Sequence, residues 1–205
     1  MPFKTENPCL KELHPWKPFI PQGATQLLLG TFPTAARNRG AVEFFYPNPN
    51  NKFWAILCKI AGEDKSVTDL EDPIGRRHQI LKKLKLGLAD MGYRVLRQRG
   101  NSSDGNIFPL EYTDIFTLLD QNRTVCRIII TSSSGPNSVF AWFSHYCLLN
   151  GVRLKCAKSK VMPWGFHFSF DGRTYEGLTI PSTSSVSRYK GEELVSFYRN
   201  SIPYK

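Results

Sequence analysis

Apolar positions along the chain follow two periods. Short, largely apolar runs bounded by turn residues predict buried strands at 26–30, 86–90 and 127–131. The last of these, RIIIT, has three successive isoleucines followed by Thr, the β-branched content a central parallel strand should have. A strict alternation of aromatics around Asp171-Gly172 predicts a hairpin within 163–177, and a further strand follows at 177–180. The helical period appears at 53–61, where Phe53, Ile56, Leu57 and Ile60 share one face and Gly62 follows as a stop. Asp72-Pro73 opens a second helix, with Asp at the N-cap and Pro at the first turn. Further helices are predicted at 109–120, 138–150 and 189–200. Residues 1–22 carry five prolines and predict an extended N-terminal wrap with a short helical turn at 9–14. The stretches 66–72 and 94–105 read as a polar linker and a basic, Ser- and Gly-rich loop.

Strand and helix alternate four times. That order predicts an α/β fold: a three-layer α/β/α sandwich with a central, mostly parallel four-stranded sheet, plus a small β-hairpin near 166–176. At 205 residues the chain fits one domain and can bury a full core. Ligands of such sheets bind beyond the carboxyl ends of the strands. Two segments there stand out, 31–51 after the first core strand and 181–188 after the last.

Composition narrows the function classes. No apolar run approaches the ~20 residues that cross a bilayer, and the polar, Pro-broken first residues do not read as a signal peptide, so an intracellular, cytoplasmic protein is expected. The five cysteines have no close pairing, and the four histidines have no ligand spacing. Reduced thiols and no metal or other cofactor are therefore expected. The net charge of +10 favours a polyanionic partner such as nucleic acid. GTFPT is neither a dinucleotide fingerprint nor a Walker loop, and no GxSxG elbow occurs.

What remains is a mouth rich in Asn and aromatics: Asn38, Asn48, Asn50 and Asn51 with Phe44, Phe45 and Tyr46. An amide offers donors and an acceptor, and a ring offers a face for a flat base. Such parts suit a pocket for one flipped nucleobase. Phe53 and Trp54 belong with the scaffold. An Asn just before a helix is an N-cap as readily as a catalytic group, and composition does not separate the two for Asn51.

GTFPT, then FFYPNPNNKFW, with a late strand ending in PSTS, resembles the uracil-DNA glycosylase superfamily. The pattern is similar above all to its hypoxanthine-DNA (deoxyinosine) glycosylase branch and the neighbouring mismatch-specific uracil-DNA glycosylases. The resemblance covers both ends of the chain, and 48–54 is its most specific part. It implies a monofunctional glycosylase that removes a deaminated base, hypoxanthine first, with uracil or xanthine as alternatives. Gly30, Thr31, Phe32 and Pro33 match the first motif, and Phe32 stands where the mismatch-specific branch keeps a water-activating Asn. Asn51 matches the implied catalytic Asn of the hypoxanthine branch. Tyr46 matches the aromatic that stacks on the base, and Thr31 and Phe32 would contact the base through their backbone. Asn48 takes a position often held by His. Ser182, Thr183 and Ser184 match a loop that grips the DNA backbone, with Val186 or Arg188 as the wedge that fills the vacated stack. The resemblance extends to Gly87–Met91 and to 100–107, which makes Asp104 and Asn106 lid residues. No metal or iron–sulfur ligand set is implied, and a monomer is expected. Lys52, beside Asn51, is the one amine that could add a lyase step. A non-catalytic nucleic-acid-binding module on the same scaffold is the rival reading, and a hydrolase of free nucleosides is a third.

Overall fold

A computed structural model describes residues 9–63, 72–98, 104–159 and 161–202. Nine strands lie among them: β1 (Leu10–Leu13), β2 (Gln26–Gly30), β3 (Leu86–Asp90), β4 (Gly92–Arg97), β5 (Ile107–Tyr112), β6 (Arg127–Ile130), β7 (Lys155–Cys156), β8 (Trp164–Phe170) and β9 (Arg173–Thr179). Five α-helices accompany them: α1 (Phe53–Ile60), α2 (Pro73–Lys83), α3 (Ile115–Gln121), α4 (Val139–Leu149) and α5 (Gly191–Ser201).

The larger sheet has six strands in the order β3-β2-β6-β9-β8-β7. The first four run parallel, and β8 and β7 extend the sheet antiparallel. Alternation along the buried strands sends side chains to two cores. Leu27, Leu29, Ile128 and Ile130 join Phe116, Trp142 and Phe143 from α3 and α4. Leu28, Leu88 and Ile129 join Trp54, Leu57, Ile80 and Leu194 from α1, α2 and α5. Helices therefore cover both faces, which is why the parallel strands read as unbroken apolar runs. Caps fix the helix starts. Asp72 accepts from Gly75 N–H at 2.8 Å, and Ser138 Oγ accepts from Ala141 N–H at 3.2 Å.

The four-stranded expectation is too small, for a local reason. The hairpin near 166–176 is not a separate appendage: its second strand, β9, is the fourth parallel strand, and its first, β8, continues the sheet. The stretches read as a hairpin arm and a further strand at 177–180 form one strand. The Asp171-Gly172 turn does have positive φ at both residues, 48° and 68°, as a tight hairpin requires.

Three other expectations are corrected by long-range pairing. The predicted helical turn at 9–14 is strand β1, and part of the loop at 94–105 is strand β4. The predicted helix at 109–120 splits into the end of β5 and α3. These strands form a second, antiparallel sheet in the order β1-β4-β5. None has an apolar period of its own, because each is stabilised by its neighbours. The N-terminal segment does wrap: Phe19 bridges Leu88, covering the outer edge of β3. The linker reading at 66–72 falls almost wholly outside the described residues, as does the side chain of Asp104.

Candidate functional site

All four parallel strands end at one cleft of about 570 Å³. β2 contributes Gly30 to Thr34, β3 contributes Asp90, β6 contributes Thr131 and Ser132, and the loop after β9 contributes Ser182, Ser184, Ser185 and Val186. Tyr46, Pro47, Asn48 and Asn51 close it from the segment before α1. The two segments singled out from the sequence thus meet, as the strand-end rule requires.

Asn51 is held by its oxygen. Oδ1 accepts from Phe53 N–H at 2.9 Å and from the Thr183 hydroxyl at 2.7 Å. A carbonyl oxygen has two lone pairs, so both are taken. The amide N–H₂ is the part of Asn51 left for the cleft. Asn51 is not the N-cap, which is Lys52; it sits one residue earlier, and its turn bond to Phe53 N–H orients the amide. Thr183 is 1% exposed, and its hydroxyl serves Asn51 rather than the surface. Its carbonyl also accepts from Lys52 N–H at 3.2 Å, which ties the late loop to the start of α1.

Tyr46 has a left-handed backbone, φ 55°, an uncommon state for a bulky residue and one that costs of order 1–3 kcal/mol. That turn lays its ring against Phe53 at 3.7 Å between centroids and 16° between planes. The stack fixes the plane of the ring where Tyr46 lines the cleft. The neighbouring aromatics are scaffold: Phe44, Phe45, Phe53 and Trp54 are buried, and Trp54 Nε1–H donates to the Phe45 carbonyl at 2.8 Å.

Phe32 is 7% exposed and packs into the core below the cleft. It frames the site from beneath, while Thr31 and the turn backbone line it. Behind that turn lies Arg97, which is 0% exposed. Its guanidinium donates to both carboxylate oxygens of Glu12, at 2.6 and 3.1 Å, and to the Pro33 carbonyl at 2.8 Å. A buried charge must be paired, and this one braces the turn as well.

Asn48 accepts from Asn50 N–H at 2.9 Å in a local turn and lines the mouth. Ser184 N–H donates to Ser182 Oγ at 3.2 Å, and both side chains are half-buried at the rim. Val186 is 90% exposed at that rim. Arg188 is turned onto Tyr189, 4.7 Å from its ring centroid, and donates to its hydroxyl at 2.6 Å. Of the two wedge residues, Val186 is the one beside the cleft. Lys52 is exposed and lies outside the residues that line it.

Asp90 is the residue that sequence patterns left without a role. The β2–β3 register sets it directly beside Gly30. A Cβ on Gly30 would lie 2.1 Å from Asp90 Oδ1, so only glycine leaves room for the carboxylate there. The signal available was its place at the end of a buried strand, an expensive position for a charge. Thr131 and Ser132, at the end of β6, were missed for the same reason. Gly105 reaches the cleft from the segment read as a lid, and Asn106 accepts at its carbonyl from Gln98 N–H at 2.7 Å.

No protein-family model matches the chain, and no curated protein matches it either.

Proposed function

We propose that the protein is a monofunctional DNA glycosylase of the uracil-DNA glycosylase type, acting on a deaminated base in DNA, hypoxanthine above all. The observation that carries this reading is the fixed polarity of Asn51. With its oxygen occupied, it presents N–H donors to a cleft whose floor holds a carboxylate acceptor, Asp90, and whose wall holds Tyr46.

That donor–acceptor pair suits the edge that deamination creates. Hypoxanthine, xanthine and uracil each carry a carbonyl beside a protonated ring nitrogen. Adenine and cytosine carry an amino group beside a bare nitrogen, the reverse pattern. A donor from Asn51 meets the carbonyl, and Asp90 accepts from the ring N–H. Guanine shares the lactam edge, so selection against it falls to the cost of extruding a base from an intact pair.

The chemistry follows from the same groups. The N-glycosidic bond breaks with its electron pair going to the base, and positive character builds on the sugar. N–H donors aimed at the departing base stabilise the negative charge it takes up with that electron pair, the largest kind of term in such sites. Stacking on Tyr46 and the strand-end walls hold the nucleotide in place. Water completes the hydrolysis. No lysine is among the described residues that line the cleft, so simple hydrolysis without a lyase step is the expected course. The chain's +10 charge, the rim residues Ser182 and Ser184 and the exposed Arg188 and Lys52 would meet phosphates, and Val186 would fill the vacated stack.

The test is a panel of duplexes carrying inosine, xanthine or uracil, scored for abasic sites. Inosine is expected to be released fastest and uracil weakly. Asn51→Ala should lower release by roughly 100- to 1,000-fold while DNA binding persists. Binding without release by the parent protein would overturn the reading in favour of a binding module.

A further inference from the structure

Asp90 is not alone at the floor of the cleft. Its Oδ2 lies 3.0 Å from His14 Nε2, and the two side chains are only 10% and 5% exposed. His14 comes from the N-terminal segment, just past β1, which also supplies Glu12 to Arg97. The imidazole is boxed by aromatic rings: Phe32 at 5.5 Å, Phe45 at 5.6 Å and Trp16 at 5.9 Å between centroids. Its far nitrogen, Nδ1, lies 2.6 Å from the Trp16 carbonyl oxygen and 3.1 Å from the Trp16 amide nitrogen.

These contacts restrict where protons sit. A neutral ring accepts the Trp16 N–H at Nδ1 and keeps its own proton on Nε2. A cationic ring gives Nδ1–H to the Trp16 carbonyl and still carries Nε2–H. A carboxyl proton facing a bare Nε2 is the remaining arrangement, and the spectra below distinguish it from the other two. In the first two, Asp90 Oδ2 accepts from His14 Nε2–H. Oδ1 lies beside Gly30, at the cleft.

We propose that His14 is a positioning residue for base selection: from behind the cleft it holds the Asp90 carboxylate turned, with Oδ2 on the imidazole and Oδ1 toward Gly30, where it accepts from a ring N–H. The inference rests on the base-pocket reading above. Its consequence is specific. A protonated Asp90 would be a donor and would match the bare ring nitrogen of adenine, whereas the His14-held carboxylate matches only a ring N–H. It also gives Phe32 a purpose, as the wall that packs edge-on against the imidazole at 86°. The N-terminal segment is then part of the site rather than a wrapper around it.

The experiment has two arms on the full chain. In the first, imidazole ¹⁵N–¹H spectra are recorded for the parent, for His14→Phe to assign the signal, and for Asp90→Asn. Nε2 of His14 is expected to carry a proton and to shift in Asp90→Asn. A bare Nε2, or a signal indifferent to Asp90→Asn, overturns the proposal whatever the protein does to DNA. In the second, release from inosine duplexes is measured for His14→Phe, His14→Gln, Asp90→Asn and the double variant His14→Phe/Asp90→Asn. His14→Phe keeps the aromatic packing and should slow release roughly 10- to 100-fold. His14→Gln, which restores a donor, should recover part of that loss. The double variant should be no slower than Asp90→Asn alone, whereas a purely structural role would add its own loss. Parent-like release by His14→Phe, or full additivity, overturns the inference and leaves the glycosylase reading standing. No release by the parent overturns the glycosylase reading, and the spectra still decide the His14–Asp90 pairing.

Discussion

Two stretches of the chain are dense in aromatic residues, and the structure uses them differently. In the hairpin, Trp164, Phe166, Phe168 and Tyr175 all enter the core against α3 and α4, and Phe168 stacks on Tyr175 at 5.1 Å. In the segment running into α1, Phe44 and Phe45 before the helix and Phe53 and Trp54 in its first turn are core as well, and of these aromatics Tyr46 alone reaches the cleft. Aromatic density therefore does not mark a site. What separates Tyr46 from the others is a strained backbone and a neighbouring amide whose oxygen is already bonded. Strain of that kind persists only where surrounding contacts enforce it.

The sharpest break of this comparison is Phe168→Ala. It removes a buried ring and should cost about 3–5 kcal/mol of stability, read as a lower midpoint in urea unfolding. Base release per folded molecule should stay near the parent value, because the ring lies far in the fold from the cleft residues. Tyr46→Leu should do the reverse. It should leave the unfolding midpoint nearly unchanged and lose about 1–3 kcal/mol of base stacking, seen as a drop in kcat/KM on inosine DNA. If both variants lose stability alike and release alike, the contrast between the stretches fails.

Thr183→Val is a finer probe. It keeps the buried volume and deletes one donor to Asn51 Oδ1, so the amide is less firmly oriented. A loss of about 1 kcal/mol in kcat/KM is expected, with little change in DNA affinity. The smallest effect concerns the core side. Asp114 caps α3, accepting from Thr117 N–H at 3.1 Å and the Tyr146 hydroxyl at 2.9 Å. Burial by itself would raise this carboxyl, but the hydrogen bonds from Thr117, Tyr146 and Phe116 outweigh it and leave it below the usual range. A group held low when folded contributes stability at neutral pH and loses it as pH falls through the folded value. Asp114→Ala should therefore cost about 1 kcal/mol near pH 7, and the gap to the parent should close in acid. A gap that is constant with pH would remove the ionised cap from the account.

Cysteine chemistry follows the same division between surface and core. Cys9, Cys126 and Cys156 are exposed, whereas Cys58 and Cys147 are buried. Burial pushes the Cys147 thiol up to about 12. A thiol reagent at pH 8 should label the exposed set in the native protein and reach Cys58 and Cys147 only after unfolding, as mass spectrometry would count.

The sequence by itself determined whatever depends on a few adjacent residues. β2 and β3 fall at their expected bounds, since an unbroken apolar run between turn residues admits little else. The Asp72-Pro73 start of α2 and the Asp171-Gly172 turn were equally legible, because cap and turn chemistry is local. So was the Asn51 and Tyr46 segment, whose residue types are unusual for a core. Only the tertiary structure decided the rest. β1, β4 and β5 pair across long separations and have no period of their own to announce them. The sheet grew from four strands to six because the hairpin could not be seen to dock until its partner β6 was in place. Asp90 became a site residue through its register with Gly30, and His14 through an approach across 76 positions of sequence. Thr183 looked like a surface contact and became the bond that fixes Asn51. Pairing between distant segments is settled by packing and hydrogen bonding in three dimensions. The polarity of the cleft, donors at Asn51 and an acceptor at Asp90, was fixed at that level.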